Sequence, residues 1–501
     1  MTAIFDSYKP LRNFLRQCFL EGTLVDVWQV AQHLANDSPA PNIPGMQPYS
    51  LHNHVFPWEL PVVAREVLLH AHPRGDKRIN SLAAIRKVIE PLRNTHNEGS
   101  KLRLGHPGSI FDEMLRIAHH QFPWQQGNLY SSLIRNLKTF GSPEVAAILE
   151  RATGLTVRKF FFLGMALSGH FANRFGINSD QDYAQFGISR AEAQSFFARL
   201  STTVHDYRQK LAAQQVDENW DYSWNPLEAT PLVVLDPAFP NRLYCPVPEL
   251  LLRRFSSGLY YDLVKETGFS SAFGDAFQNY VGDVLTVAFE RPAFTICREE
   301  PYYVGKERHD GPDWILAGQD GNLFIECKTK RMTQAARALS GGDQLREDFG
   351  KIADAIVQNY KNVLEALEGK SKWQPNGLPA IPLVLTYEDW FMLGPVGHEL
   401  LKTGVPERLA AKGLPLDLVQ TMPYALMSAR EFERCSSAIA DAGINAFFSG
   451  KREEPYPQWL WPEYQQEKFP DARRIDFNVA FRSTWEKHLP EASLPDERSQ
   501  G

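Results

Sequence analysis

Apolar residues recur every three to four positions through most of the first 215 residues, the spacing of one buried helix face. Leu11, Phe14, Leu15, Cys18 and Phe19 form such a stripe, with Pro10 tolerated at the helix start. The same period returns over 60–70, 82–92 and 110–118, while 36–49, with four prolines, reads as a loop. Ser142-Pro143 predicts a cap followed by proline in the first turn of a helix through Leu149. The stretch 155–174 is hydrophobic all round and predicts a central helix. Ser189 and Glu192 have the spacing of a capping box, opening a helix expected to reach about Gln214. No strand-type alternation interrupts this stretch, so 1–215 is expected to be an all-helical domain.

The pattern changes across 214–230, a polar, acidic and tryptophan-bearing segment that marks the expected boundary. Short apolar runs at 232–235 and 243–245 predict strands, and a helix follows near 249–264, giving a linker with a small strand–helix element over 216–270. Over 273–289, Phe277, Tyr280, Val281, Val284 and Leu285 line one side of a helix. Strands are predicted at 293–298, 302–304, 314–317 and 323–327. Asp320-Gly321 joins the last two as a hairpin signal, because glycine accepts positive φ. A helix over 345–367 carries Phe349, Ile352, Ile356, Tyr360, Val363 and Leu367 at helical spacing and stops at Gly369. The run 381–387 suits a strand covered on both faces. Beyond 400 the chain reads as helical with one strand at 424–427, and the polar tail 491–501 is expected to be disordered.

A chain of 501 residues exceeds what one core organises. Its 43% hydrophobic and 22% charged residues are globular values. The net charge of -6 gives no global nucleic-acid footprint, although phosphate binding depends on local fields. Five scattered cysteines without paired spacing suit a reducing cytoplasm. The longest apolar run, 160–167, is too short to span a bilayer, so no membrane partner is expected. His52, His54, His70 and His72 form two H-x-H pairs that could hold zinc, without the cysteines that usually accompany such sites. No phosphate-binding glycine loop and no nucleophile elbow occur.

The chemistry concentrates at 311–331. On the predicted strand 323–327 and its extension, Phe324, Glu326, Lys328 and Lys330 project to one face. Leu323, Ile325, Cys327 and Thr329 project to the other. Asp313 opens the neighbouring strand, where its carboxylate could sit beside that of Glu326. Two carboxylates about 4 Å apart repel by roughly 4 kcal/mol at an effective dielectric near 20. A hard divalent cation turns that repulsion into attraction, and Mg²⁺ favours few carboxylates with waters and phosphate oxygens.

Pro312-Asp313 followed by Glu326-Cys327-Lys328 resembles the signature of the PD-(D/E)XK, or restriction-endonuclease-like, nuclease superfamily. The resemblance implies an αβββαβ core within 271–400 and an α+β multidomain protein, with 401–490 as a C-terminal extension of the nuclease domain. It implies that Asp313, Glu326 and the Cys327 carbonyl bind Mg²⁺ or Mn²⁺ and that Lys328 assists the attacking water. Gln278 stands where many members carry a glutamate, which puts a second metal in doubt; Asp283 or Asp275 would substitute only if the helix were rotated. Gln358 and Tyr360 are similar to residues that some members aim at the site. Lys330, Arg331 and Arg337 are candidate phosphate contacts, and His309, beside Asp310, a candidate proton shuttle or nucleic-acid contact. The implied function is a metal-dependent nuclease acting on DNA, with host defence as a natural role. The alternatives are an RNA substrate, or a nuclease-like fold retained for binding or assembly. A protein partner or homo-oligomer would then engage the N-terminal helices.

Overall fold

In the computed structural model, which describes residues 3–36, 41, 43–44, 48–105, 109–125, 129–298, 301–338 and 342–489, the boundary read at 215 falls inside a sheet. Its strands are β1 (Gly176–Asn178), β2 (Ser201–Thr203), β3 (Leu232–Val234) and β4 (Arg242–Tyr244), in the order β1-β4-β3-β2. Residues 1–215 are therefore not all-helical. Strands of three residues are too short to show a period of two, which is why the pattern conceals them. The capping box forms, with Ser189 N donating to Glu192 Oε2 at 2.8 Å. Its helix nevertheless ends at Leu200, because Ser201–Thr203 pairs in parallel with β3. Pro10 lies within the helix Ala3–Leu15 rather than at its start.

The hydrophobic cores also ignore the expected boundary. One joins Tyr8, Leu24, Val63 and Leu92 to Tyr207, Trp220 and Val233. Another runs from Leu133 and Phe160 through Phe277 and Ile325 to Trp485. Helices before 215 thus bury their apolar faces against elements after it. The tail 491–501 and most of the loop 36–49 lie outside the described residues.

Seven further strands follow: β5 (Thr295–Arg298), β6 (Tyr302–Val304), β7 (Glu307–His309), β8 (Trp314–Ala317), β9 (Asn322–Lys328), β10 (Ala380–Thr386) and β11 (Ala425–Ser428). Five of them form a mixed sheet in the order β11-β10-β9-β8-β5. β5, β8 and β9 make an antiparallel meander, while β9, β10 and β11 run parallel. β6 and β7 pair only with each other, so 302–304 does not extend this sheet. β11 does extend it, which makes part of 401–490 integral to the sheet rather than an appendage.

Parallel neighbours need a crossover, and the helix Asp343–Leu367 supplies it between β9 and β10. That helix covers one face, where Val363 and Ala366 meet Ile315 and Phe324. Asn359 Nδ2 pins it by donating to the carbonyls of Phe324 and Leu383 at 2.9 and 3.1 Å. The helix Phe269–Phe289 belongs to the other face, sharing a core with Leu323, Ile325 and Cys327. The β8–β9 turn forms as expected but for a different reason. Gly321 does not adopt positive φ; a Cβ there would meet Asn445 Cβ at 3.1 Å, so close approach is what requires glycine. Asp320 accepts from Ile444 N and Ala446 N at 2.9 and 3.0 Å, capping the helix Ile444–Gly450. The fold is α+β. Among the described residues no helix is long and apolar enough to cross a membrane.

One buried carboxylate ties the N-terminal helices to this layer. Glu433 Oε1 accepts from Arg135 Nη1 and from the Tyr280 hydroxyl, each at 2.8 Å. Removing one partner of such a pair leaves a buried charge uncompensated, at about 3–5 kcal/mol. Arg135→Met is expected to lower unfolding free energy by about that amount in urea titration. Arg135→Met with Glu433→Leu should recover most of the loss; a double variant as unstable as the single one would contradict this account.

Candidate active site

β8 and β9 pair Trp314 with Ile325 as the last rung of their ladder, and Asp313 stands in the bend just before it, close enough to Glu326 to feel its charge. Odd-numbered amides of β9 point toward β8, as Cys327 N shows by donating to Asp313 Oδ2 at 2.6 Å. Even-numbered positions face β10, where Tyr387 N donates to the Lys328 carbonyl at 3.0 Å. Pro312 precedes that bend, outside the ladder. Proline has no N–H to give, so Pro312 cannot donate to a neighbouring strand. The Pro-Asp dipeptide thus sits where the ladder ends: the proline withholds a donor, and the Asp313 carboxylate takes the Cys327 amide.

Lys328 Nζ donates to Glu326 Oε1 at 2.6 Å, as two residues on one strand face can. Glu326 is only 7% exposed, whereas the Lys328 side chain keeps 36% of its surface in solvent. The cation thus forms the outer wall of the cluster. Burial pushes the Asp313 carboxyl up, repulsion from Glu326 adds to it, and together they carry it to about 7 against the Cys327 N–H and Lys328. Burial pushes the Lys328 ammonium down, but Glu326 and Asp313 outweigh it and hold the group above its usual value. Lys328 is charged at neutral pH.

Two carboxylates and the Cys327 carbonyl would make an all-oxygen donor set, which fits a hard divalent cation that keeps several waters. Among the described residues no group of three or more His, Cys, Asp and Glu side chains is placed to hold a metal ion. The set is therefore the minimum that Mg²⁺ or Mn²⁺ uses, and it does not suit tetrahedral zinc.

Gln278 comes close through its backbone. Its carbonyl accepts from Trp314 Nε1 at 2.9 Å, tying the helix Phe269–Phe289 to the residue after Asp313. Gly282 permits this approach, since a Cβ there would meet Trp314 Cζ2 at 2.2 Å. A glycine inside an apolar helical stripe was the available signal for this junction, and Trp314 and Gly282 are positioning residues that motif reading passes over. The Gln278 side chain is half-buried and makes no hydrogen bond among the described residues. Asp283 pairs with Lys138 at 2.8 Å, and Asp275 is exposed.

The basic residues after Lys328 are mostly committed elsewhere. Lys330 pairs with Asp348 at 2.7 Å. Arg331 is buried, bonded to Glu388 at 2.7 Å and set over the Tyr260 ring at 3.9 Å. Arg337 shares Glu388 at 3.2 Å. The reading of Arg331 as a nucleic-acid contact is corrected accordingly, because its guanidinium is an internal strut. His309 Nδ1 is 2.9 Å from Glu365 Oε2, fastening the β6–β7 hairpin to the helix Asp343–Leu367 rather than joining the acidic pair. Gln358 donates to Asn362 Oδ1 at 3.0 Å, and the Tyr360 hydroxyl is spent on the Met422 carbonyl at 2.9 Å. The histidine pairs do not converge on a metal site: His70 bonds Tyr8, and His72 Nδ1 accepts from Arg74 N at 3.0 Å.

No family model, no curated protein and no solved structure matches the chain.

A carboxyl whose folded pKa is raised binds its proton more tightly in the native state, so ionising it costs stability. Relative to Asp313→Asn, the metal-free protein is expected to lose stability as pH rises from about 4 to about 7, by at most about 1.4 kcal/mol per unit, and then to level off. Urea unfolding across that range checks this. Parallel curves for the two proteins would remove Asp313 as the titrating group.

Proposed function

We propose that the chain is a metal-dependent nuclease of the PD-(D/E)XK type, hydrolysing phosphodiester bonds in DNA. The observation that carries the reading is the cluster of Asp313, held by the Cys327 amide, with Glu326 and the Lys328 ammonium that Glu326 binds. The element order supports it: from Phe269 to Thr386 a helix, three antiparallel strands, a crossover helix and a parallel strand occur in that order, with the separate β6–β7 hairpin inserted between the first and second strands. Asp313, Glu326 and the Cys327 carbonyl would hold Mg²⁺ or Mn²⁺. Such an ion, when bound, supplies Lewis acidity toward a phosphodiester and lowers the pKa of water.

The chain's own groups do the rest. Cys327 N holds the Asp313 carboxylate in place, and Glu326 fixes the Lys328 ammonium at the open side. From there Lys328 orients the attacking water and stabilises negative charge developing on the phosphate oxygens. Lys330, with about a third of its side chain exposed, is the phosphate contact retained. Arg331 and His309 are not carried into the mechanism. Host defence against foreign nucleic acid remains the role proposed by family resemblance alone.

A second reading is favoured by Gln278 and by an acidic set limited to two side chains. In it the fold is kept for binding or assembly, without turnover. Labelled single- and double-stranded DNA and RNA incubated with and without Mn²⁺ separate the two. Calorimetry should show uptake of Mn²⁺ that Asp313→Ala and Glu326→Ala abolish. Lys328→Ala is expected to keep that uptake while cleavage falls by at least about a hundredfold, the usual scale for a charge-stabilising or proton-handling group. Mn²⁺ uptake without cleavage of any substrate would favour the binding module; an active Lys328→Ala enzyme would remove Lys328 from the chemistry.

A further inference from the structure

The open edge of the five-stranded sheet belongs to β11, and a cavity of about 680 Å³ lies along it. Its walls include the start of β10 and residues from five later helices. Ala380 and Ile381, on the cavity wall, pair with Asn322 and Leu323, whereas Glu326 and Lys328 pair with Val384 and Thr386. Leu426, also on the wall, pairs with Val384, the residue that pairs with Glu326, so two strand spacings, roughly 10 Å, lie between the cavity's nearest strand and Glu326, and neither Asp313, Glu326 nor Lys328 lines the cavity. They are different sites.

Four features of the cavity bear on what it takes. The register directs the amide of Leu426 outward, away from β10; the Leu426 carbonyl on that same edge already accepts from Trp461 Nε1 at 2.7 Å. An edge amide thus faces the cavity as a hydrogen-bond donor. Trp459 stands at the rim, 36% exposed, with its ring 5.3 Å from that of Tyr456 in an edge arrangement. Lys451 is only 6% exposed; its ammonium donates to the Tyr456 and Pro457 carbonyls at 2.6 and 3.0 Å and stands 5.1 Å over the Trp461 ring, so at most one of its three protons remains for a ligand. Burial pushes that ammonium down to about 8 against the pull of Glu431 on the same wall, so a further anion brought beside it would favour its charged form. Arg452, exposed on the same wall, has no ion pair among the described residues.

We propose that this cavity is a second ligand site, built for a planar heteroaromatic ring carrying an anionic group, the chemistry of a nucleoside monophosphate. The volume is in the range of small-ligand pockets, about 300–1,000 Å³. The indole of Trp459 offers a stacking face, the Leu426 amide reads a ring acceptor, and Lys451 with Arg452 meets the phosphate. The proposal is independent of what the acidic pair does.

The test titrates the full chain with AMP, GMP, CMP and UMP, followed by calorimetry and tryptophan fluorescence, alongside the parent nucleosides and inorganic phosphate. At least one nucleotide should bind saturably, and its nucleoside and phosphate alone should each bind about tenfold or more weakly. Arg452→Ala and Trp459→Ala, both surface changes, should each weaken binding by a similar factor with unchanged melting temperature, and Asp313→Ala should leave it intact. Absence of saturable binding by all four into the millimolar range overturns the proposal. So does binding that survives both surface variants, or binding that Asp313→Ala removes, which would place the nucleotide at the acidic pair instead.

Discussion

The candidate site depends on one strand pair that brings two carboxylates together against their mutual repulsion. Asp313 and Glu326 are neighbours because β8 and β9 hold a fixed register, and nothing in the pair itself favours that closeness. The register is held from several sides. Trp314, beside Asp313, is locked to the Gln278 carbonyl through the gap that Gly282 leaves. Asp320, in the connecting turn, is committed to the amides of Ile444 and Ala446. Asn359 fastens the crossover helix to β9 and β10 together. A one-residue slip would send every side chain of β9 to the opposite face, so these anchors decide whether the cluster exists at all.

The same logic explains why the N-terminal helices are not a separable module. Arg135 and Tyr280 converge on Glu433, and the Tyr387 hydroxyl, just past the end of β10, meets Thr139 and Asn136 at 2.9 and 3.0 Å. Arg331, three residues beyond Lys328, is held between Glu388 and the Tyr260 ring. The C-terminal ends of β9 and β10 are thereby braced by elements from well before the sheet in the chain. Conserving the site's shape requires the shared cores, which is a reason for a chain of this length to carry so small a constellation.

Much of the centre was legible in sequence because the signals there are local. A proline, an aspartate, a short apolar run and a turn predict the hairpin, and the period of two places Glu326 and Lys328 on one face. What escaped is nonlocal. β1 and β2 are strands only because β4 and β3 lie beside them, and three residues cannot display a period. The place of β11 in the sheet depends on β10 in the same way. The turn glycine was found for the wrong reason: its constraint comes from Asn445, over a hundred positions away, not from its own φ. Gly282 carries its meaning only once Trp314 is set against it.

The basic run Lys328-Thr329-Lys330-Arg331 shows how charge read along a chain misleads about charge in space. Each cation acquires a carboxylate: Glu326 for Lys328, Asp348 for Lys330, Glu388 for Arg331. The segment that reads as a phosphate-binding patch is close to neutral once folded. With Asp313 counted, the cluster around Lys328 carries one net negative charge when both its carboxyls are ionised, and the whole chain is at -6. Such a surface does not steer a polyanion toward itself. On the nuclease reading, a cation between Asp313 and Glu326 is therefore needed before the substrate and not merely for the chemistry, since it reverses the local sign. That ordering follows from the electrostatics of the folded cluster, and the linear sequence, with its run of lysines and arginine, suggests the opposite.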